Sequence, residues 1–313
     1  MAEPIMNARS QLVGAVDIGG TKIAVGVVSE TGWLLAQSTV PTQAERGPED
    51  ALARIGTMLR EAARQAGGEL KGIGIGSTGP VDPFSGKVGQ IEFLPGWEGF
   101  NLVGGLAQLF HVPVALENDA DAAALGEVRW GAGRGAQRFI YCTISTGIGV
   151  GLVFDGRLYR GVDGAHPEIG HHVIDPSGPA CSCGAHGCWE SLASGPAMAR
   201  WLVDPALPTA QGICEAALQG HPGALRAVER TAYYLSVGVA NLVTLYTPDI
   251  IALGGGLMNS RALFWEAMQN RIEKTCGYVP REKTSLVPAG LGIKVGLLGA
   301  ACTWLHRFES EEE

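Results

Sequence analysis

The chain has 313 residues and a formal net charge of -8, from 23 Lys and Arg against 31 Asp and Glu. That balance offers no basic face to a phosphate backbone, so nucleic acid is not an expected partner. The first residues lack a basic and then apolar signal pattern, and no strongly apolar run approaches the roughly eighteen residues of a membrane span. A soluble cytoplasmic protein without a membrane partner is expected, divided into two lobes as chains of this length usually are.

In chain order, "LVGAVDIGG" reads as a strand ending in a glycine turn, and "TKIAVGVVSETGWLLAQSTVPT" as two further strands, giving a β-meander. Residues 48–66 place apolar side chains at helical spacing behind a Pro-Glu-Asp start and stop at Gly67-Gly68. "KGIGIGSTGPVD" is a strand, and residues 81–98, with Pro83, Gly86, Gly89, Pro95 and Gly96, form a long irregular excursion of the kind that often carries binding groups. A short helix, the strand "VPVALEND" and the helix "ADAAALGEVRWG" follow, with the lobe boundary expected near Asn118. "RFIYCTISTGIGVGLVFDGRLYRG" repeats the opening meander, which suggests an internal duplication. Helices are expected at about 191–202, 210–218 and 223–246, then the strand "DIIALGGGL", a helix over 260–275, the strand "TSLVPAGLG" and a terminal helix. The fold class is α/β.

Three glycine turns carry a nucleotide signal. In "DIGGTK", Gly19 and Gly20 remove β-carbons that would keep backbone N–H groups from an anion, Thr21 adds a hydroxyl, and Asp17 could orient a hydrated Mg2+. The same residues also suit an ordinary tight turn. "STGIGVG" at 145–151 offers a second turn, and "LGGGL" at 253–257 a surface for a base and ribose. No Walker A string and no GxGxxG fingerprint is present. At the end of "LEND", Asp119 could take a proton from an alcohol attacking a phosphoryl group while Asn118 holds an adjacent hydroxyl; both residue types are equally at home as helix caps. Asp121 is the fallback base, better suited to complementing the helix dipole.

Residues 170–190, "GHHVIDPSGPACSCGAHGCWE", gather three cysteines and three histidines. Cys181, Cys183 and Cys188 with one imidazole make a tetrahedral zinc set, although the CxC spacing also allows unliganded thiols. His171 and His172 are rival ligands, and His186 lies inside the loop. Four protein ligands leave no open position, so such a metal folds the loop and fixes Glu168 and Glu190 at its ends. Cys142, Cys214, Cys276 and Cys302 stand alone and read as buried thiols.

The ordered set "DIGGTK", "END", "STGIGVG", "PEIGH", "CSCGAHGCWE" and "LGGG" resembles the ROK family of repressors, open reading frames and kinases, within the hexokinase, actin and Hsp70 ATPase superfamily. The resemblance implies a two-lobed actin-like ATPase fold, each lobe a mixed sheet flanked by helices. Residues 1–118 would form the small lobe, with the C-terminal helix of about 294–313 packing back on it, and 119–293 the large lobe with a zinc-stabilised loop at 171–188. It implies phosphate contacts from Asp17, Gly19, Gly20, Thr21 and Lys22 and from Thr146, Gly147 and Gly149, and nucleotide contacts from Gly254, Gly255 and Gly256. Asp119 corresponds to the general base, and Asn118, Glu168, His171 and Glu190 to sugar hydroxyl ligands. His171 is also the zinc ligand beside Cys181, Cys183 and Cys188. The expectation is then an ATP- and Mg2+-dependent hexose kinase, most simply for glucose, with structural Zn2+, assembled as a homodimer or homotetramer and working in an interlobe cleft. Kinases of N-acetylmannosamine or N-acetylglucosamine share every motif, and a non-catalytic sugar sensor is the alternative of another class. No room precedes Asp17 for a DNA-binding domain, which favours the kinase branch over the repressors. One departure is Phe93 before the Leu94–Trp97 turn, where family members often carry Asn.

Overall fold

The structure, a computed structural model, describes residues 12–309. The described residues form two compact units, and the first takes residues 12–134, the segment Leu158–His166 and residues 291–309. The second takes Gly135–Arg157 and Pro167–Gly290.

The first unit opens with β1 (Leu12–Ile18), β2 (Lys22–Ser29) and β3 (Leu34–Pro41), the antiparallel meander expected from the alternating and then continuous apolar pattern. Helix α1 (Pro48–Ala66) begins on Pro48 and ends at Gly67 in a left-handed backbone. Its Ile55 and Leu59 are wholly buried against the sheet. β4 (Leu70–Ser77) pairs parallel with β1; the excursion that follows holds only a small hairpin, β5 (Val81–Asp82) and β6 (Lys87–Val88). Helix α2 (Leu102–Phe110) leads into β7 (Val114–Asn118), parallel to β4, and α3 (Asp119–Trp130) starts directly from the end of β7. The sheet order is β3-β2-β1-β4-β7.

The second unit repeats this plan with β8 (Arg138–Ile144), β9 (Ile148–Phe154), β10 (Arg157–Leu158), β11 (Ile250–Gly254) and β12 (Ser285–Pro288) in the order β10-β9-β8-β11-β12. Each sheet thus has a meander on one side and two parallel strands on the other, the duplication suggested by the paired glycine hairpins. Its helices are α4 (Trp189–Ala193), α5 (Gly195–Leu202), α6 (Ala210–Leu218), α7 (Pro222–Tyr246) and α8 (Trp265–Thr275). The continuous helix expected at 191–202 is broken, because Ser194 leaves helical backbone to cap α5 through Ala197 N–H, with Pro196 in the new first turn. The helix expected from 260 begins at Trp265, behind an irregular 3₁₀ stretch over Gly256–Leu263.

The last helix, α9 (Val295–Phe308), packs on β1, β4 and α3 of the first unit; the expected extension past residue 309 lies outside the described residues. The unit boundary falls after Arg134, beyond α3, where Asn118 was expected. The reason is close helix crossing. A β-carbon on Gly299 would stand 2.5 Å from Ala122 O, and one on Gly126 3.0 Å from the Gly299 backbone, so the two helices meet almost backbone to backbone. Buried Glu127 of α3 then accepts from Ala132 N–H and from Leu291 N–H, tying the helix to the start of the returning C-terminal segment. Replacing Gly299 with Leu overpacks this crossing and is expected to destabilise the protein by about 1–3 kcal/mol, read as a lowered denaturation midpoint; an unchanged midpoint would show that the crossing is not tightly packed.

Candidate functional site

In the first unit, the turn between β1 and β2 is pinned from below by Thr42. Its hydroxyl donates to Gly19 O at 2.7 Å and its amide to Thr21 O at 3.0 Å. Thr21 and Lys22 are exposed, whereas Gly20 lies under Phe93: a β-carbon there would come within 2.7 Å of the Phe93 side chain. Phe93, 63% exposed as a residue, therefore covers one side of the turn. Asp17, at the end of β1, sits against Gly296 in the first turn of α9. Burial raises its pKa and Lys22 partly offsets this.

The β7–α3 junction carries the other predicted residues of this unit. Asn118 is buried and caps α3, accepting from Ala120 N–H at 2.8 Å while its amide donates to Gly79 O at 3.3 Å. The Asp119 carboxylate also accepts from Ala120 N–H, at 2.8 Å. Burial, followed by the negative charge of Asp17, pushes the Asp119 pKa up to about 7, against the opposing pull of His166. Two neighbours escaped sequence reading. Glu117, inside the "END" motif, is buried and paired with Arg160; burial still raises it to about 7 despite that guanidinium. His166 Nδ1 lies 2.8 Å from Asp121 Oδ2. Neither pairing leaves a local pattern, since each partner lies more than forty residues away.

In the second unit, one ligand atom each from His171, Cys181, Cys183 and Cys188 lies within 4.8 Å of all the others. His171 Nδ1 is 3.3 Å from Cys181 Sγ, and Cys183 and Cys188 Sγ are 3.5 Å apart. The rivalry between the adjacent histidines is resolved by their partners. His172 Nδ1 lies 2.6 Å from Ile169 O, its Nε2 lies 3.3 Å from Asn241 Nδ2, and its ring meets the Trp189 edge. The donor set fits zinc in number and softness. With protons alone, the thiols do not share charge evenly: the Ala185 amide draws Cys183 down to about 7, while burial holds Cys188 up to about 12. A divalent cation at their centre would favour thiolate at all three. The loop closes through Gly187, whose φ of 71° and 1.6 Å clearance from a β-carbon to Asp175 O admit no side chain.

The far ends of the loop carry the carboxylates. Trp189, fully buried over Gly238 of α7, anchors the start of α4, so that Cys188 joins the cluster and Glu190 faces the β8–β9 turn. Glu190 Oε2 accepts from Ile148 N–H at 2.9 Å, and Oε1 is 4.0 Å from His171 Nε2. Gly147 leaves the space that Glu190 fills, since a β-carbon there would be 2.5 Å from Oε2. The imidazole thus presents one nitrogen to the thiols and the other toward Glu190. Glu168 is exposed, and its carbonyl accepts from His171 N–H. Gly149 lies within β9, opposite Thr143, past the turn itself.

A cavity of about 730 Å3 opens beside the same turn, lined by Thr146 and Gly256 among the predicted residues and by Arg200, Gln211, Glu215 and Asn259, which were not anticipated. Gly254 ends β11 against the Tyr141 hydroxyl, and Gly255, with φ of 87°, turns the chain into the cavity wall. For Gln211 and Glu215 the local signal was the capped start of α6, where Thr209 accepts from Gly212 N–H; Arg200 on α5 and Asn259 in the 3₁₀ stretch left none.

Two sheets of one strand order, with glycine turns at corresponding hairpins, define the actin-like ATPase fold class. The chain belongs to the ROK family, whose family model matches residues 13–307. It is 36% identical to the glucokinase of Thermotoga maritima over 93% of this chain and 96% of that protein. Among solved structures it is similar to the ROK hexokinase of Thermus thermophilus, with a TM-score of 0.84 and 37% identity over 97% of this chain and all of the other. It is also similar to a ROK glucokinase from Streptomyces griseus in complex with glucose and AMPPNP, with a TM-score of 0.79 and 34% identity over 93% and 98% of the two chains. No described helix is long and apolar enough to cross a membrane.

Protein purified without chelator is expected to carry about one zinc per chain, and Cys183→Ser to lose most of it together with thermal stability. Metal analysis checks this; a content below about 0.2 in an active preparation would remove the metal from the loop.

Proposed function

We propose that this protein transfers the γ-phosphoryl group of ATP·Mg2+ to the 6-hydroxyl of a hexose, with glucose as the preferred acceptor. The observation that supports this reading best is a carboxylate at the start of α3, Asp119, whose pKa of about 7 suits it to take a proton at neutral pH. The sugar assignment follows the glucokinases and hexokinase to which the chain is similar.

In this mechanism Asp119 accepts the proton of the O6 hydroxyl as that oxygen attacks the γ-phosphorus in line; the new O–P bond forms while the bond to the β-phosphate oxygen breaks and ADP leaves. Asn118, Glu168, His171 and Glu190 hold sugar hydroxyls. Gly19, Gly20, Thr21 and Lys22 of one turn, and Thr146, Gly147 and Gly149 of the other, contact the phosphates, with Asp17 orienting the water shell of Mg2+. The cavity beside Thr146 takes the adenosine, with Gly254, Gly255 and Gly256 along its wall. His171, Cys181, Cys183 and Cys188 would hold a zinc ion, which would stiffen the loop and leave the chemistry to the side chains. The working form is a cytoplasmic homodimer or homotetramer.

A coupled ADP assay over glucose, mannose, fructose, galactose, N-acetylglucosamine and N-acetylmannosamine is expected to give sugar-dependent turnover highest with glucose. ADP release indifferent to every sugar would overturn the kinase reading. Asp119→Asn is expected to lower kcat by about 10²–10⁴-fold with glucose affinity nearly unchanged.

The pH dependence has a definite sign. The base works only when ionised, so kcat/KM should rise through about pH 7 and fall by about tenfold per unit below it. A profile flat from pH 5 to 9 would mean that Asp119 does not titrate in the reaction.

A further inference from the structure

The segment Leu158–His166 is tied at both ends to the stretch of chain that carries Asp119. Arg160 pairs with Glu117, two residues before the base, and His166 with Asp121, two residues after it. The second pair is the more deeply sequestered, with 5% of the His166 side chain and 2% of the Asp121 side chain exposed. Asp121 Oδ1 is buried and has no hydrogen-bond partner among the described residues, so the imidazole at Oδ2 carries the compensation for that carboxylate. A buried carboxylate is tolerated only beside a donor or a positive charge, and it in turn favours the charged form of that partner.

We propose that His166, held by Asp121, is a positioning residue for the phosphoryl-transfer base: its imidazolium stands by the first turn of α3 and keeps Asp119 ionised. This rests on Asp119 being the base. The charges that bear on Asp119 are Asp17 from β1 and Asp121 from its own helix, which oppose ionisation, and His166, which favours it by more than Asp121 opposes it. Lys22 acts on Asp17, and Arg160 and Arg307 act on Glu117, which among the described residues leaves His166 as the positive group set against Asp119. The helix N-terminus adds the Ala120 N–H bond, which any residue at position 166 would leave in place.

The test is the pH profile of kcat/KM for the full-length enzyme with glucose and ATP·Mg2+, comparing wild type, His166→Gln, Asp121→Asn and the double variant. Removing the cation raises the pKa of Asp119, so the acid limb of His166→Gln should move up by about one pH unit: about tenfold loss near pH 6 and near wild-type activity at pH 9. Asp121→Asn should shift the limb in the same direction, by releasing the proton from His166, and the double variant no further. An equal loss at all pH values, or an unmoved limb, would reduce the pair to a structural contact and overturn the proposal. Should the variants fold poorly, the imidazole of His166 can be titrated by NMR in the wild-type protein: it is expected to be protonated at pH 7, and a neutral ring there would overturn the proposal equally. Retained turnover in Asp119→Asn would instead remove the base assignment, whatever the charge of His166.

Discussion

Three carboxylates within five residues, Glu117, Asp119 and Asp121, are held largely out of water at the junction of β7 and α3. Dehydration of that many acids in one turn is unfavourable unless each finds a partner. Glu117 has Arg160 and Asp121 has His166. Asp119 has the Ala120 amide and the field of its neighbours, and burial raises it to about 7, as burial also raises Glu117 despite its guanidinium partner. The partners come from Leu158–His166, a short return of the chain to the first unit, and without that return Asp119 would sit beside two uncompensated acids. The architecture behind it is equally specific: α3 begins where a wholly buried strand ends, and α9 crosses it at Gly126 and Gly299.

The second unit meets a different requirement, that of holding polar groups on a loop rich in glycine and proline. Fixing such a segment costs about 1–2 kcal/mol per residue in backbone entropy. Two devices offset this cost. Trp189 plugs the base of the loop against α7, and the four soft ligands converge where one zinc ion would cross-link them. His171 belongs to both the His/Cys cluster and the group around Glu190, so a stiffened loop acts on the Glu190 carboxylate through a single ring. The Ile148 amide then fixes the other oxygen of Glu190, which joins the cysteine loop to the β8–β9 turn.

Much of this was legible in the sequence because it is local. Helix α1 occupies residues 48–66, bounded as its Pro start and Gly stop require. The paired hairpins announced the duplicated sheets. The cysteine cluster was plain from its own spacing, which leaves residues 171 and 172 equivalent; the family resemblance singled out His171, and the structure agrees by placing it with the three thiols and tying His172 to Ile169 and Asn241. What escaped was long-range. The sequence puts the boundary near Asn118, whereas the small residues of α3 commit that helix to α9 of the first unit, a pairing with no local signature. Arg160 and His166 were invisible for the same reason, and the kink at Ser194 was hidden because Ser and Pro fit the first turn of a new helix as well as the end of an old one. For Asn118 the structure shows the capping role: its Oδ1 accepts from Ala120 N–H at the start of α3 while its amide donates to Gly79 O.

The central claim is that the protein around Asp119 removes enough water, and places enough negative charge nearby, to bring its carboxylate close to neutrality in the resting enzyme. Direct titration of that carboxyl by carbon NMR, in protein labelled at aspartate and assigned by comparison with Asp119→Asn, measures this without recourse to turnover. The account predicts a midpoint of about 7. A midpoint of about 4, the value of an ordinary aspartate in water, would contradict it.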